Sequence, residues 1–167
     1  MQLIFLSQSQ AILLCFIVWP VLMVAAALLC TRLPERFFDY SSWFYRAHRW
    51  EKDGAIYQKW LRVRHWKKYL PDGGSLVKGG FEKKKLASFD KEHLDRYLRE
   101  SCRAEMIHWL AILPFWVFGF FTPPIVIVYM LLFALAVNLP CVIAQRYNRP
   151  RIVRIVVRRE NQCDQTK

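Results

Sequence analysis

Two ionisable residues stand where the chain turns apolar. In "RAEMIHWLAILPFW", Arg103 to Trp116, Glu105 and His108 lie three positions apart at the start of a run that carries no further charge. Residues three or four apart share one face of an α-helix, so this spacing predicts that a helix aims both side chains at the same neighbour. A histidine and a carboxylate so placed can do general acid–base work. The imidazole removes a proton from an attacking hydroxyl, while the carboxylate fixes its tautomer and stabilises the imidazolium. Glu105 can equally bind a substrate directly, and a histidine at such a boundary can also be a plain structural donor. Ionisable groups at membrane depth are costly and tend to mark function, although an interfacial position softens the cost.

Other constellations are weaker. His48 and Asp53 in "HRWEKD" have the His-x-x-x-x-Asp spacing of the glycerolipid acyltransferases, but the glycine–proline blocks that accompany it there are absent. Four histidines are too few for desaturase-type metal chemistry, and di-iron bundles need several carboxylates and histidines in register, so no metal site is expected. The five cysteines, at 15, 30, 102, 141 and 163, show no ligand spacing; all but Cys15 fall in or near the reducing cytoplasmic side, and free thiols are expected. "LPDGGSLVKGGFEKKK", Leu70 to Lys85, lacks the Gly-Lys-Ser/Thr ending of a phosphate-cradling loop and reads as a turn with a solvated charge run.

The elements that must position Glu105 and His108 follow from how charge is segregated. All 25 Lys and Arg fall either between Arg32 and Arg103, which holds 18, or from Arg146 onward, which holds 7. "AILLCFIVWPVLMVAAALLC", Ala11 to Cys30, matches the roughly 20 apolar residues that cross a ~30 Å hydrocarbon core. Its flank from Met1 to Gln10 has no basic residue, so a retained transmembrane helix is expected rather than a signal peptide. Met106 to Phe121 is apolar up to "TPP", Thr122 to Pro124, and a third apolar run follows over 125–144. These predict a hairpin of two spans, the first short enough to be either transmembrane or re-entrant. A helix capped by Asp90, with Glu92 in its first turn, would set Leu94, Leu98, Ser101, Glu105 and His108 on one stripe.

The expected fold is thus an all-α integral membrane protein in one membrane domain, residues 1–167. It has about three transmembrane helices and a cytoplasmic or interfacial helical segment, 31–105, rich in aromatic residues and Lys/Arg. Basic residues collect on the cytoplasmic side, which places the N-terminus and the "TPP" turn outside and the 31–105 segment and C-terminal tail inside. Those two inner parts carry net charges of +7 and +5 and supply the whole +12. A face so basic attracts anionic headgroups at about 1 kcal/mol per residue, or it receives an acidic cytosolic substrate or carrier. Coenzyme A thioesters and acyl carrier protein both fit. "FFDYSSWFYRAHRWEKDGAIYQKWLRVRHWKK", Phe37 to Lys68, interleaves aromatic rings with snorkelling cations and suits the headgroup level. The same residue types serve nucleic-acid binding, but no recognisable binding module accompanies them.

Six blocks then carry a resemblance: "TRLPERFF" (Thr31–Phe38), "WEKDGAIYQKW" (Trp50–Trp60), "VRHWKKYLPDG" (Val63–Gly73), "RAEMIHW" (Arg103–Trp109), "NLP" (Asn138–Pro140) and "QRYNRPR" (Gln145–Arg151). In this order they resemble the glycosyl-4,4'-diaponeurosporenoate acyltransferase family, which completes staphyloxanthin-type carotenoids. The resemblance implies a small multi-pass membrane enzyme that esterifies the primary hydroxyl of a glucose headgroup on a carotenoid acid with a fatty acyl chain. His48, His65 and Asp53 depart from the family pattern, which leaves His108 as the histidine of consequence.

Carried over, the resemblance makes Glu105 and His108 the catalytic pair, flanked by Arg103 and Trp109, the latter also a candidate interfacial belt residue. Asn138, about 10 Å into the span at ~1.5 Å per residue, could reach the same pocket. Arg146, Arg149 and Arg151 would grip the phosphates of an acyl donor, with Arg64 and Lys67 weaker candidates for that task and Tyr147, Asn148 and Trp66 counted with them as substrate- or donor-binding residues. On composition alone those arginines are positive-inside anchors, with Asn148 and Pro150 ending the helix. Glu51 and Asp72 are left as sugar-binding or structural acids. No cofactor is implied beyond an acyl-coenzyme A or carrier-protein thioester co-substrate. The expected partners are the membrane and a lipid-linked sugar, with no nucleic acid. A non-catalytic membrane partner that organises a biosynthetic complex is the competing class, and in it His108 would be replaceable by a polar isostere.

Overall fold

The computed structural model describes residues 2–70 and 91–165, so the glycine-rich stretch, Asp72 and the Asp90 cap lie outside the described residues. Among the described residues every regular element is helical. Five α-helices are α1 (Gln8–Arg32), α2 (Ala55–Leu61), α3 (Val63–Trp66), α4 (Lys91–Ile112) and α5 (Pro124–Gln165), joined by short 3₁₀ segments. α1 and the Pro124–Arg159 part of α5 are long and apolar enough to cross a membrane. The chain divides into two compact units, Met1–Leu33 with Glu105–Val142, and Pro34–Ala104 with Ile143–Lys167.

In the first unit, α1 opens with a capping box in which the Ser7 N–H donates to Gln10 Oε1 at 3.1 Å, satisfying a helix-start donor that has no partner within the helix. Most of its apolar surface is exposed, Phe16 and Val21 among it, while Ala26 and Cys30 are buried. Trp19 packs on Phe118 and edge-on against Phe133, with ring centroids 6.1 and 5.2 Å apart. The apolar stretch 106–121 is not one α-helix. It changes to 3₁₀ geometry over Leu113–Phe120 because Pro114 has no N–H to donate and its ring clashes with the carbonyl four residues back. The Leu3 and Ile4 N–H groups donate to Phe120 O at 2.8 and 2.9 Å, so the start of the chain lies beside the turn that precedes α5.

In the second unit, Leu94, Tyr97 and Leu98 of α4 pack with Ile152 and Val156 of α5 into one buried cluster. Tyr57, Val63 and Tyr147 form another, flanked by Ile56, Trp66 and Ile143. Ahead of α2 the chain makes a tight turn in which Lys52, Asp53 and Gly54 all have left-handed backbones, at φ 47°, 53° and 81°. Only glycine suits the last of these. A Cβ on Gly54 would stand 3.1 Å from Tyr147 O and 3.2 Å from its Cα, against the backbone of α5.

α5 does not end at Asn148 and Pro150 as the sequence suggests, but runs through Pro150 to Gln165. Proline in a helix interior removes a backbone bond at a cost of ~3 kcal/mol. Tertiary contacts around the gap hold the helix together: Gly54 abuts the Arg146–Tyr147 backbone, and Arg149 and Lys67 tie this turn to other segments.

Candidate active site

α4 runs unbroken from Lys91 to Ile112, and Leu94, Leu98, Ser101 and Glu105 on the expected stripe are fully buried, with His108 half-buried. Glu105 Oε1 accepts a long bond of 3.4 Å from Trp109 Nε1, one turn further on. His108 Nδ1 lies 2.9 Å from Oδ1 of Asn138, a fully buried residue of α5. The Asn138 amide is itself fixed, because its Nδ2 donates to Ala134 O at 3.0 Å. With the amide nitrogen committed to a carbonyl, the oxygen faces the histidine, so Nδ1–H is the donor in this contact and a neutral ring so placed would carry its lone pair on Nε2. This arrangement can accept a proton at Nε2 and keep the resulting imidazolium oriented.

The remaining expected residues fall in the second unit. Glu51 is 1% exposed and its carboxylate is encircled. Tyr57 Oη donates to Oε1, the His48 N–H to Oε2 at 2.6 Å, and Arg146 Nη1 to Oε1 at 3.1 Å. Burial by itself raises the Glu51 carboxyl, but these hydrogen bonds and the Arg146 charge outweigh it and hold the group below the usual carboxylate value. Arg149, 2% exposed, donates to Tyr45 O at 2.8 Å and Ser101 O at 3.1 Å and stacks on the Tyr45 ring. Arg103 pairs with Glu100 and lies over Phe38 at 4.8 Å. Arg146, Arg149 and Arg103 are thus engaged in holding the fold.

Arg151 and Lys67 are placed differently. With Arg64, Gln58 and Tyr147 they line a pocket of about 500 Å³. Lys67 Nζ donates to Asn148 Oδ1 at 2.6 Å and sits 4.9 Å from the Tyr147 ring centroid, while the Arg151 guanidinium covers the same ring at 3.5 Å. Trp66 donates from Nε1 to Leu61 O at 2.7 Å, which fixes the wall from which Lys67 projects. Tyr57 and Gln58 were not singled out from the sequence, although both stand inside the block Trp50–Trp60 that carries the resemblance. Among the described residues no three His, Cys, Asp or Glu side chains gather as a metal site requires.

Comparison with known proteins gives one consistent result. The family model described as glycosyl-4,4'-diaponeurosporenoate acyltransferase matches residues 41–158. The Staphylococcus aureus (strain MRSA252) protein of that name is 34% identical over 154 residues, covering 90% of this chain and 92% of the relative. The one from strain Newman is 32% identical over 143 residues, covering 85% and 86%. No solved structure matches the chain.

Proposed function

Because the chain belongs to the glycosyl-4,4'-diaponeurosporenoate acyltransferase family and is therefore an acyltransferase in carotenoid biosynthesis, we propose that it moves a fatty acyl group from a thioester to a hydroxyl on the glucose of a glycosylated carotenoid, with His108 as the base. Family membership sets aside the non-catalytic scaffold. The observation that carries the rest is the His108 Nδ1 to Asn138 Oδ1 contact, since it leaves Nε2 as the nitrogen able to take a proton. In the step, Nε2 removes the sugar hydroxyl proton as that oxygen attacks the thioester carbonyl. The ester C–O bond forms, the C–S bond breaks, and the departing thiolate takes the proton back from the imidazolium. Asn138 is a positioning residue here. Glu105, buried on the same face of α4 and accepting from Trp109, is the second residue of the proposed pair. Mass spectrometry of lipids from cells making both the protein and a glycosylated carotenoid should show a new fatty ester missing from the empty control. Its absence with the protein inserted overturns the reading.

The same proposal includes three membrane crossings, with the N-terminus outside and the C-terminus in the cytosol. The short second run supports this, because seven α-helical residues at ~1.5 Å and eight 3₁₀ residues at ~2.0 Å reach about 26 Å, close to the ~30 Å core. The bonds from Leu3 and Ile4 to Phe120 support it too, by keeping the N-terminus and the "TPP" turn at one end. A green fluorescent protein fused after Lys167 should fluoresce, and alkaline phosphatase at the same junction should be inactive. Phosphatase activity there would reverse the orientation.

A further inference from the structure

Three cations, Arg64, Lys67 and Arg151, converge on one pocket, and among the described residues none of them forms an ion pair with a carboxylate. This is unlike the other basic groups nearby, since Arg146 is neutralised by Glu51 and Arg103 by Glu100. Arg64 is exposed, whereas Lys67 and Arg151 are partly buried and anchored. Arg151 lies flat on the buried Tyr147 ring, and Lys67 is tethered to Asn148. Burial, with Arg151 and Arg64 alongside, pushes the Lys67 ammonium below the usual lysine value. Clustered like charges destabilise a fold unless an anion completes them, and a doubly charged group would do so best.

We infer that this pocket binds a phosphate monoester at the nucleotide end of the acyl donor, which makes the donor a coenzyme A thioester rather than a carrier protein. The inference rests on the acyltransferase reading for the identity of the ligand, but on the pocket alone for its charge. A phosphate monoester carries ≈ −1.5 to −2 at neutral pH, against a single charge on the phosphodiester of a carrier protein or of phosphatidylglycerol. Arg151 would meet it as a bidentate donor and Lys67 as a point charge.

Binding of free coenzyme A to the full chain in phosphatidylcholine nanodiscs tests this without any acyl transfer. Lys67→Gln combined with Arg151→Gln should weaken binding at least tenfold, and Lys67→Arg should retain it. Coenzyme A stripped of its 3′-phosphate should bind the parent protein about as weakly as the intact ligand binds the double variant, which in turn should not distinguish the two. Equal affinity of parent and variant overturns the proposal. So does a loss that persists with the stripped ligand, or a variant that keeps its coenzyme A affinity but no longer enriches phosphatidic acid from mixed nanodiscs. An enzyme that makes the ester yet shows any of these results leaves the acyltransferase reading intact, whereas coenzyme A binding with no ester formed removes that reading alone.

Discussion

His108→Gln should slow ester formation by ~10²–10⁴-fold, the contribution of a positioned general base, while the protein still inserts and is made at the parent level. Glutamine keeps a polar side chain of similar reach, but its amide nitrogen cannot take a proton at neutral pH. Half-burial of His108 on α4 makes wholesale unfolding an unneeded explanation for such a loss. Asn138→Leu should act through the same ring with a smaller effect. It removes the acceptor 2.9 Å from Nδ1 and so lets the imidazole choose the wrong tautomer or turn away. That predicts a fall in kcat with KM nearly unchanged and a displaced pH–rate profile, neither of which a change confined to packing would produce. Initial rates with a fixed thioester and a glucosylated acceptor decide both. A His108→Gln enzyme within about threefold of the parent rate, far short of the general-base contribution, excludes the base assignment, whatever else the family shares.

The tautomer partner shows where a sequence reading reaches its limit. Glu105 was the natural candidate because i and i+3 residues share a helix face, and that neighbourhood can be read from the chain alone. Asn138 comes from 30 residues away; its place in an apolar run and in the "NLP" block marked it as able to reach the same pocket, but not as the partner of Nδ1. The apolar runs themselves, the segregated charge, the stripe from Leu94 to His108 and the family blocks were all legible, because each depends on local pattern. What was not legible depends on contacts across long separations. Pro150 stays helical because segments about 80 to 105 residues earlier in the chain bind its surroundings. The left-handed run Lys52–Asp53–Gly54 forms because Gly54 has the α5 backbone against it. Composition treats Arg146, Arg149 and Arg151 as equivalent, yet the first neutralises Glu51, the second caps two carbonyls in the interior and the third lines a pocket.

Glu51→Gln separates the two roles left open for that acid, since its surroundings make a structural result the expected one. The carboxylate accepts from Tyr57, His48 and Arg146 at once, and both ionic partners are largely buried. Removing one member of a buried pair costs about 3–5 kcal/mol, which lowers the thermal midpoint by roughly 10 °C in a chain of this length. A second change, Arg146→Met, should restore part of the loss, because it is the uncompensated guanidinium that destabilises. The pH dependence has a definite sign. Since the folded carboxyl lies below its ordinary value of 4.5, its contribution is fully present above that value and is lost as pH falls below it, through the folded value. The parent should therefore soften in acid more steeply than the Glu51→Gln variant, with the two curves parallel at neutral pH and above. Fluorescence melting in detergent, from strongly acidic to neutral buffer, measures this. A Glu51→Gln variant with the parent midpoint but a raised KM for the sugar acceptor would instead make Glu51 a binding residue, and the Tyr57–Glu51–Arg146 cluster part of the acceptor site.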